Sequence, residues 1–181
     1  MVTIRPLTES DSIVELTSLL HRAYARLSAM GLNYTAADQS PEVTARRISG
    51  GSCFVAELEA ELVGTIVVRP TYSESHCEYF TKPGVACAQQ FAVAPEHQGE
   101  GIGRMLLEHA EQWASQANFT ELAMDTAEEA NHLLELYNRL GYRQVGQVRW
   151  PGKVYQSVVL SKPLLSHFRP NHAAACNEVD S

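Results

Sequence analysis

The run Gln90-Phe91-Ala92-Val93-Ala94-Pro95-Glu96-His97-Gln98-Gly99-Glu100-Gly101-Ile102-Gly103-Arg104 concentrates the chemistry of this sequence. It reads as a strand, a tight turn and a helix whose first turn is rich in glycine. Glycines there remove Cβ atoms, so successive backbone N–H groups converge on an anion. The positive end of the helix dipole adds to the attraction. The result is a phosphate cradle made of main chain, with little need for lysine. Two common nucleotide sites do not fit it. A Walker loop ends in Gly-Lys-Ser/Thr, whereas Gly103 is followed by Arg104-Met105. A dinucleotide fingerprint counted from Gly99 puts Arg104 where its third glycine belongs, and the preceding strand is about the fourth rather than the first.

Other reactive residue types fall short of a site. Cys53, Cys77, Cys87 and Cys176 have no CxxC or zinc-like spacing. Cys87 lies in a strand, where thiols are usually buried and inert. His167 and His172 have no ligand partner at helical spacing, so no metal is expected. His97 reads as a surface turn residue. His76 and Cys77 sit in a long loop and either line a pocket or face water. Gln89 and Gln90 either satisfy strand hydrogen bonds or touch substrate.

The elements that must hold the cradle follow from periodicity. Val2 to Arg5 is a short strand closed by Pro6. Thr8 as N-cap, with Asp11 three residues later, opens a helix that carries Ile13, Leu16, Leu20, Ala23, Tyr24 and Leu27 and ends at Gly31. Ser40-Pro41-Glu42 begins a second helix reaching Ile48. Residues 53–58 and 62–69 form a hairpin around Glu59-Ala60-Glu61. Residues 70–84 form a loop too long for a simple turn, and such loops are often functional. Val85 to Ala94 is the next strand. An amphipathic helix over 101–117 has Ile102, Met105, Leu106, Ala110, Trp113 and Ala117 on its core stripe. A strand over 120–125 precedes a helix opened by the capping box Thr126-Ala127-Glu128-Glu129 and ended by Gly141. Strands over 142–149 and 153–160 complete the order β-α-α-β-β-β-α-β-α-β-β. This is a single mixed α/β domain over 1–162, with 163–181 a tail that is mobile or packed on the surface.

The spacing Gln98-x-x-Gly101-x-Gly103 resembles the Gln/Arg-x-x-Gly-x-Gly/Ala motif of the GNAT superfamily of acyl-CoA-dependent N-acyltransferases. Phe91-Ala92-Val93 before Pro95 belongs to the same pattern. Asn131 followed by Tyr137-Asn138-Arg139-Leu140-Gly141-Tyr142 is similar to the second family signature. The element order agrees from Val2 to Leu160. The resemblance implies a mixed, mostly antiparallel central sheet flanked by helices, with a splayed strand pair forming the acyl-CoA cleft. It implies acetyl-CoA as co-substrate, direct transfer, and no metal. Phe91 and Val93 would pair with the pantetheine arm. Main-chain N–H groups around Gln98, Gly99, Gly101, Gly103 and Arg104 would hold the pyrophosphate, and Asn131 would help to orient the cofactor. Tyr137 matches the tyrosine near the thioester sulfur, where a phenol can protonate the departing thiolate.

An amine must lose a proton before it attacks a thioester, which requires a base or a water path. The oxyanion that then forms has a natural donor in the Val93 N–H. Some family members carry a glutamate on the strand leading into the cradle, but Val85 to Gln90 holds no carboxylate. The base is then Glu74, His76 or Glu78 from the loop, Glu57 from the hairpin, or water.

Composition bounds the partners. With 181 residues, 45% of them hydrophobic and 19% charged, the chain is globular and of single-domain size. Fourteen Lys+Arg against twenty-one Asp+Glu give a net charge of -7, which argues against nucleic acid as a main partner. The start MVTIRPLTESDS lacks the features of a secretory signal, and no run of apolar residues is long enough to span a membrane. The reading is a soluble cytoplasmic protein with reduced thiols and no membrane partner. The expected function is transfer of the acetyl group of acetyl-CoA to an amine, preferably of a small molecule. The acceptor would lie against the loop Tyr72 to Phe80 together with Tyr24, Leu32, Tyr34 and Asp38, and Glu74 and Glu78 either attract a cation or face water. The alternatives are a non-catalytic acyl-CoA-binding sensor or scaffold, and a protein N-terminal or lysine acetyltransferase. Dimers are common in the resembling family, so a homodimer is admitted.

Overall fold

The computed structural model describes residues 1–71 and 73–165. Its elements are β1 (Thr3–Pro6), α1 (Ile13–Ala29), α2 (Pro41–Ile48), β2 (Ser52–Leu58), β3 (Glu61–Arg69), β4 (Val85–Val93), α3 (Ile102–Gln116), β5 (Glu121–Ala127), α4 (Asn131–Arg139), β6 (Arg143–Val148) and β7 (Ser157–Pro163). The order agrees with the periodicity. The strands form one seven-stranded sheet, β1-β2-β3-β4-β5-β7-β6, in which only β4 and β5 run parallel.

Several boundaries differ from the expectation, each for a physical reason. Ser12, not Thr8, caps α1, its Oγ accepting the Glu15 N–H at 3.2 Å. Asp11 instead accepts the Thr8 N–H at 2.7 Å and is paired with Arg5, which also holds Glu57, tying β1 to β2 and to the entry of α1. The Thr126 capping box is unused: Thr126 and Ala127 are still paired with Val158 and Ser157, so β5 continues and α4 starts at Asn131 without a side-chain cap. β7 begins only at Ser157, because residues 149–156 turn the chain. The buried stripe of α3 is Ile102, Leu106, Leu107, Ala110 and Ala114; Met105 lies on the solvent side, 39% exposed, and Trp113 is half-buried. Tyr72, His167, His172 and Cys176 lie outside the described residues.

Helices cover both faces of the sheet. Phe54, Ala56, Ile66, Val68, Ala86 and Ala88 face α3, which contributes Ile102, Leu106 and Ala110 to the main core. Leu16, Leu19 and Leu20 of α1 pack against Val55, Ala92 and Ala94 on the other face. Ala88 and Ala92 have the same parity yet face opposite ways. The cause is a bulge: Val67 is opposite Gln89 while Thr65 is opposite Ala92, so β4 carries one extra residue. Gln90 takes it up with a left-handed φ of 49°. One inserted residue exchanges the faces of a strand, and after it Phe91 and Val93 join the α3 side.

The bulge coincides with a split in the sheet. β4 and β5 are paired only through Val85–Cys87 and Glu121–Ala123. Beyond those residues they diverge, and the C-terminal half of β4 is left with an open edge.

Candidate active site

The open edge determines which main-chain groups are available. Ala94 donates its N–H to Val63 O at 2.8 Å, so by strand alternation the N–H and C=O of Val93 and Phe91 point away from β3 into the split. Two side chains confirm that direction. Tyr24 of α1 donates to Phe91 O at 3.2 Å, and Gln98 Nε2 donates to Val93 O at 3.1 Å. The N–H groups of both residues are therefore offered to an extended ligand lying between β4 and β5.

The turn after β4 builds the cradle. Gly99 and Gly101 have φ of 87° and 86°, a backbone that favours glycine, and a Cβ at either would meet nothing within 4 Å. Gly101 is the N-cap of α3 and supplies no side-chain bond, so the first-turn N–H groups remain directed outward. Gly103 serves differently. A Cβ there would lie 3.2 Å from Phe91 Cζ, so its absence lets α3 approach the open strand. Arg104 points along its own helix to Glu108 at 2.7 Å.

A cavity of about 460 Å³ runs from this cradle along the split. Phe91, Val93, Gln98, Gly99, Gly101, Gly103, Arg104 and Tyr137 all line it; Asn131, exposed at the start of α4, does not. Sequence reasoning missed two cations on its wall, Arg26 from α1 and Arg139 from α4, and beside them His132, whose imidazole burial and the charge of Arg26 hold below its ordinary range and so neutral at pH 7. The two guanidinium groups bring positive charge to this wall despite the net charge of -7. The main-chain cradle, the open strand edge and these cations together fit the diphosphate and extended arm of an acyl-CoA.

Tyr137 stands at the inner end. It is buried, its ring centroid lies 6.4 Å from that of Phe91, and its hydroxyl has no hydrogen-bond partner among the described residues. Burial pushes the phenol well above its ordinary range, so it keeps its proton at neutral pH.

A second cavity, of about 350 Å³, opens on the other side of Tyr137. Tyr24, Tyr34, Phe91, Asp125 and Tyr137 are common to both. Its wall also includes Arg47 of α2, 87–90 of β4, and Phe80, Trp150, Lys153 and Tyr155. Lys153 Nζ is held by Asn33 O at 2.6 Å and Thr35 Oγ1 at 2.8 Å, which pins the 149–156 turn over the cavity. Asp125 Oδ2 accepts Trp150 Nε1–H at 2.8 Å. Burial raises the Asp125 carboxyl above the usual range, opposed by the Trp150 hydrogen bond and the charge of Arg47.

The expected acceptor wall is thus partly corrected. Tyr24, Tyr34 and Phe80 are in place, but Leu32 is buried core and Asp38 is not on the wall. Glu74, His76 and Glu78 are exposed and line neither cavity, and Glu57, held by Arg5, lines neither. Asp125 is the one carboxylate lining either cavity among the described residues. Its signal in the sequence is a charge within the otherwise apolar run Leu122-Ala123-Met124-Asp125. Cys87 lines the second cavity with its thiol pushed up to about 12 by burial, and is inert as a nucleophile.

Residues 15–142 match the model of the acetyltransferase (GNAT) family. The S-(2-succino)cysteine N-acetyltransferase of Bacillus subtilis (strain 168) is 27% identical over 162 residues, covering 86% of this chain and 91% of that protein. Among solved structures, the ribosomal-protein-S18-alanine N-acetyltransferase from Escherichia coli superimposes with a TM-score of 0.70 at 17% identity, over 96% of this chain and 99% of that one. A GNAT family acetyltransferase from Elizabethkingia anophelis with acetyl-CoA bound gives 0.64 at 22%, over 90% and 98%. With the family model covering most of the chain, and the split sheet and cradle in the places such a fold requires, this protein belongs to the GNAT family and is an acyl-CoA-dependent N-acetyltransferase.

Proposed function

We propose that the acceptor is the amine of a small molecule, bound in the second cavity while acetyl-CoA occupies the first. The observation that carries this reading is the junction of the two cavities at Phe91, Asp125 and Tyr137. A volume of about 350 Å³ suits a molecule of metabolite size. The Bacillus relative supports the reading, since its named acceptor is a cysteine derivative.

The roles follow from position. The N–H groups of the cradle bind the diphosphate, and Phe91 and Val93 align the pantetheine arm along the open edge. Asp125, desolvated and next to the acceptor, takes a proton from the acceptor's ammonium, directly or through water, and frees the amine to attack the thioester. The Val93 N–H, fixed before the reaction begins, receives the developing oxyanion. Tyr137, whose hydroxyl has no hydrogen-bond partner among the described residues, protonates the departing thiolate. No covalent enzyme intermediate is required, in keeping with an inert Cys87. The free thiols Cys53, Cys77 and Cys87 support a reducing, cytoplasmic setting.

Thiol release from acetyl-CoA, measured with a panel of small amines and with a peptide bearing an N-terminal alanine, tests the proposal. Turnover on small amines is expected, with Tyr137→Phe lowering kcat about 10- to 100-fold and leaving acetyl-CoA affinity intact. Turnover on the peptide alone would overturn the small-molecule reading. A fully active Tyr137→Phe would remove the proton-donor role.

A further inference from the structure

The second cavity has a wall whose hydrogen-bond polarity is fixed. Arg47 can only donate, and its Nη1 donates to Gln39 Oε1 at 2.7 Å. That contact fixes the Gln39 amide, whose Nε2 must then donate onward, to Thr44 Oγ1 at 2.7 Å and to Gln90 Oε1 at 2.8 Å. The Gln90 amide is fixed in turn, and its Nε2 is left over. Gln90 is 3% exposed, and this Nε2 has no hydrogen-bond partner among the described residues. A buried donor without an acceptor is costly. Gln90 is one of the residues lining the cavity, and it is the strained residue of the β4 bulge.

The charge on the same wall is likewise uncompensated. Arg47 makes no ion pair within 4 Å among the described residues, although desolvation already disfavours its charge. Lys153, across the cavity, spends its two hydrogen bonds on neutral oxygens. Against these two cations the wall offers one carboxylate, Asp125, which lies beyond ion-pair distance of Arg47 and is engaged with Trp150. Arg47 and Gln90 belong to one hydrogen-bonded unit through Gln39, and both present N–H groups without acceptors.

We infer that Arg47 and Gln90 form a carboxylate-recognition site, so that the acceptor is an amino acid or amino-acid derivative rather than a simple amine or polyamine. A carboxylate supplies both what Gln90 Nε2 lacks, an acceptor oxygen, and what Arg47 lacks, a negative charge. With the carboxylate there, the acceptor's amine reaches the Asp125 and Tyr137 end of the cavity, where transfer takes place. Lys153 adds a second attraction for acceptors carrying a further acid group. The loop carboxylates Glu74 and Glu78 do not contribute, and the cavity selects anions although the molecule as a whole is acidic.

This assignment rests on the small-molecule reading, and the experiment separates the two. An L-α-amino acid, its primary amide and its decarboxylated amine are compared as acceptors at fixed acetyl-CoA. The amino acid is expected to exceed both neutralised analogues by about 10- to 100-fold in kcat/KM. In Arg47→Met and Gln90→Met the advantage shrinks through KM of the acceptor, while KM of acetyl-CoA stays constant. Gln90→Glu places a carboxylate beside Arg47 and abolishes the preference. Equal turnover of all three acceptors by the wild-type enzyme, or an unchanged preference in Arg47→Met, overturns the carboxylate site and leaves the acetyltransferase reading standing. No turnover on any small amine, with acetyl-CoA binding intact, overturns both.

Discussion

The role proposed for Asp125 would be served at the expense of the fold. Its carboxyl is desolvated, so the folded protein holds the Asp125 proton more tightly than the unfolded chain does. The sign follows: stability falls as pH rises from the ordinary aspartate range through the raised value, and the deficit persists at neutral pH. Asp125→Asn keeps an oxygen for Trp150 and removes the buried charge. The expected outcome at pH 7 is a Tm higher by about 2–4 °C, the shift of a 1 kcal/mol change in a chain of this size, together with a fall in kcat/KM of about 100-fold. Calorimetry and initial rates check both. In the wild type the acid limb of kcat/KM should lie above the normal carboxylate range and be absent from the variant. The sequence did not nominate Asp125, because one acid in an apolar strand is ambiguous until its neighbour across the sheet is known. The glycine motif was legible, because Gly99 and Gly101 take up a left-handed backbone that favours glycine.

The elements were legible where local signals agreed. α2 begins at Pro41 and ends at Ile48 as its proline and periodicity require, and the Glu59-Ala60 turn closes the hairpin as expected. Signals failed where tertiary pairing overrode them. Thr126-Ala127-Glu128-Glu129 has the residues of a capping box, yet β7 holds Thr126 and Ala127 in the sheet. Met105 fits a helical stripe as well as Leu107 does, and only the position of the sheet decides between them. The bulge had no signal, since Gln90 does not announce a left-handed backbone. The α3 cradle gives a prediction at this scale. Gly101→Asp has room for its side chain but strains the backbone and puts a negative charge where a diphosphate belongs. A stability loss of about 1 kcal/mol is expected, with acetyl-CoA affinity reduced at least about 100-fold. Titration calorimetry showing unchanged affinity would refute the placement of the cradle.

At the scale of the molecule, the sheet consists of a four-stranded and a three-stranded part that share only three parallel residue pairs. No local pattern in the sequence reveals that split; it came only with the family resemblance. A ligand whose arm bridges β4 and β5 should couple the two parts. Acetyl-CoA at 100 times its Kd is expected to stabilise the fold by about 2.7 kcal/mol, raising Tm by about 5–10 °C. Free adenosine diphosphate, which lacks the arm, should bind more weakly and so give a smaller shift at equal concentration. Equal shifts at equal concentration would show that the strand edge takes no part.

The two cavities share an inner wall but have separate rims, one at residues 98–104 and the other at the 149–156 turn. Neither reactant therefore has to pass the other on its way in or out. Double-reciprocal plots should intersect, and spent coenzyme can depart while the acetylated product is still seated. Exchange at one doorway then proceeds independently of traffic at the other.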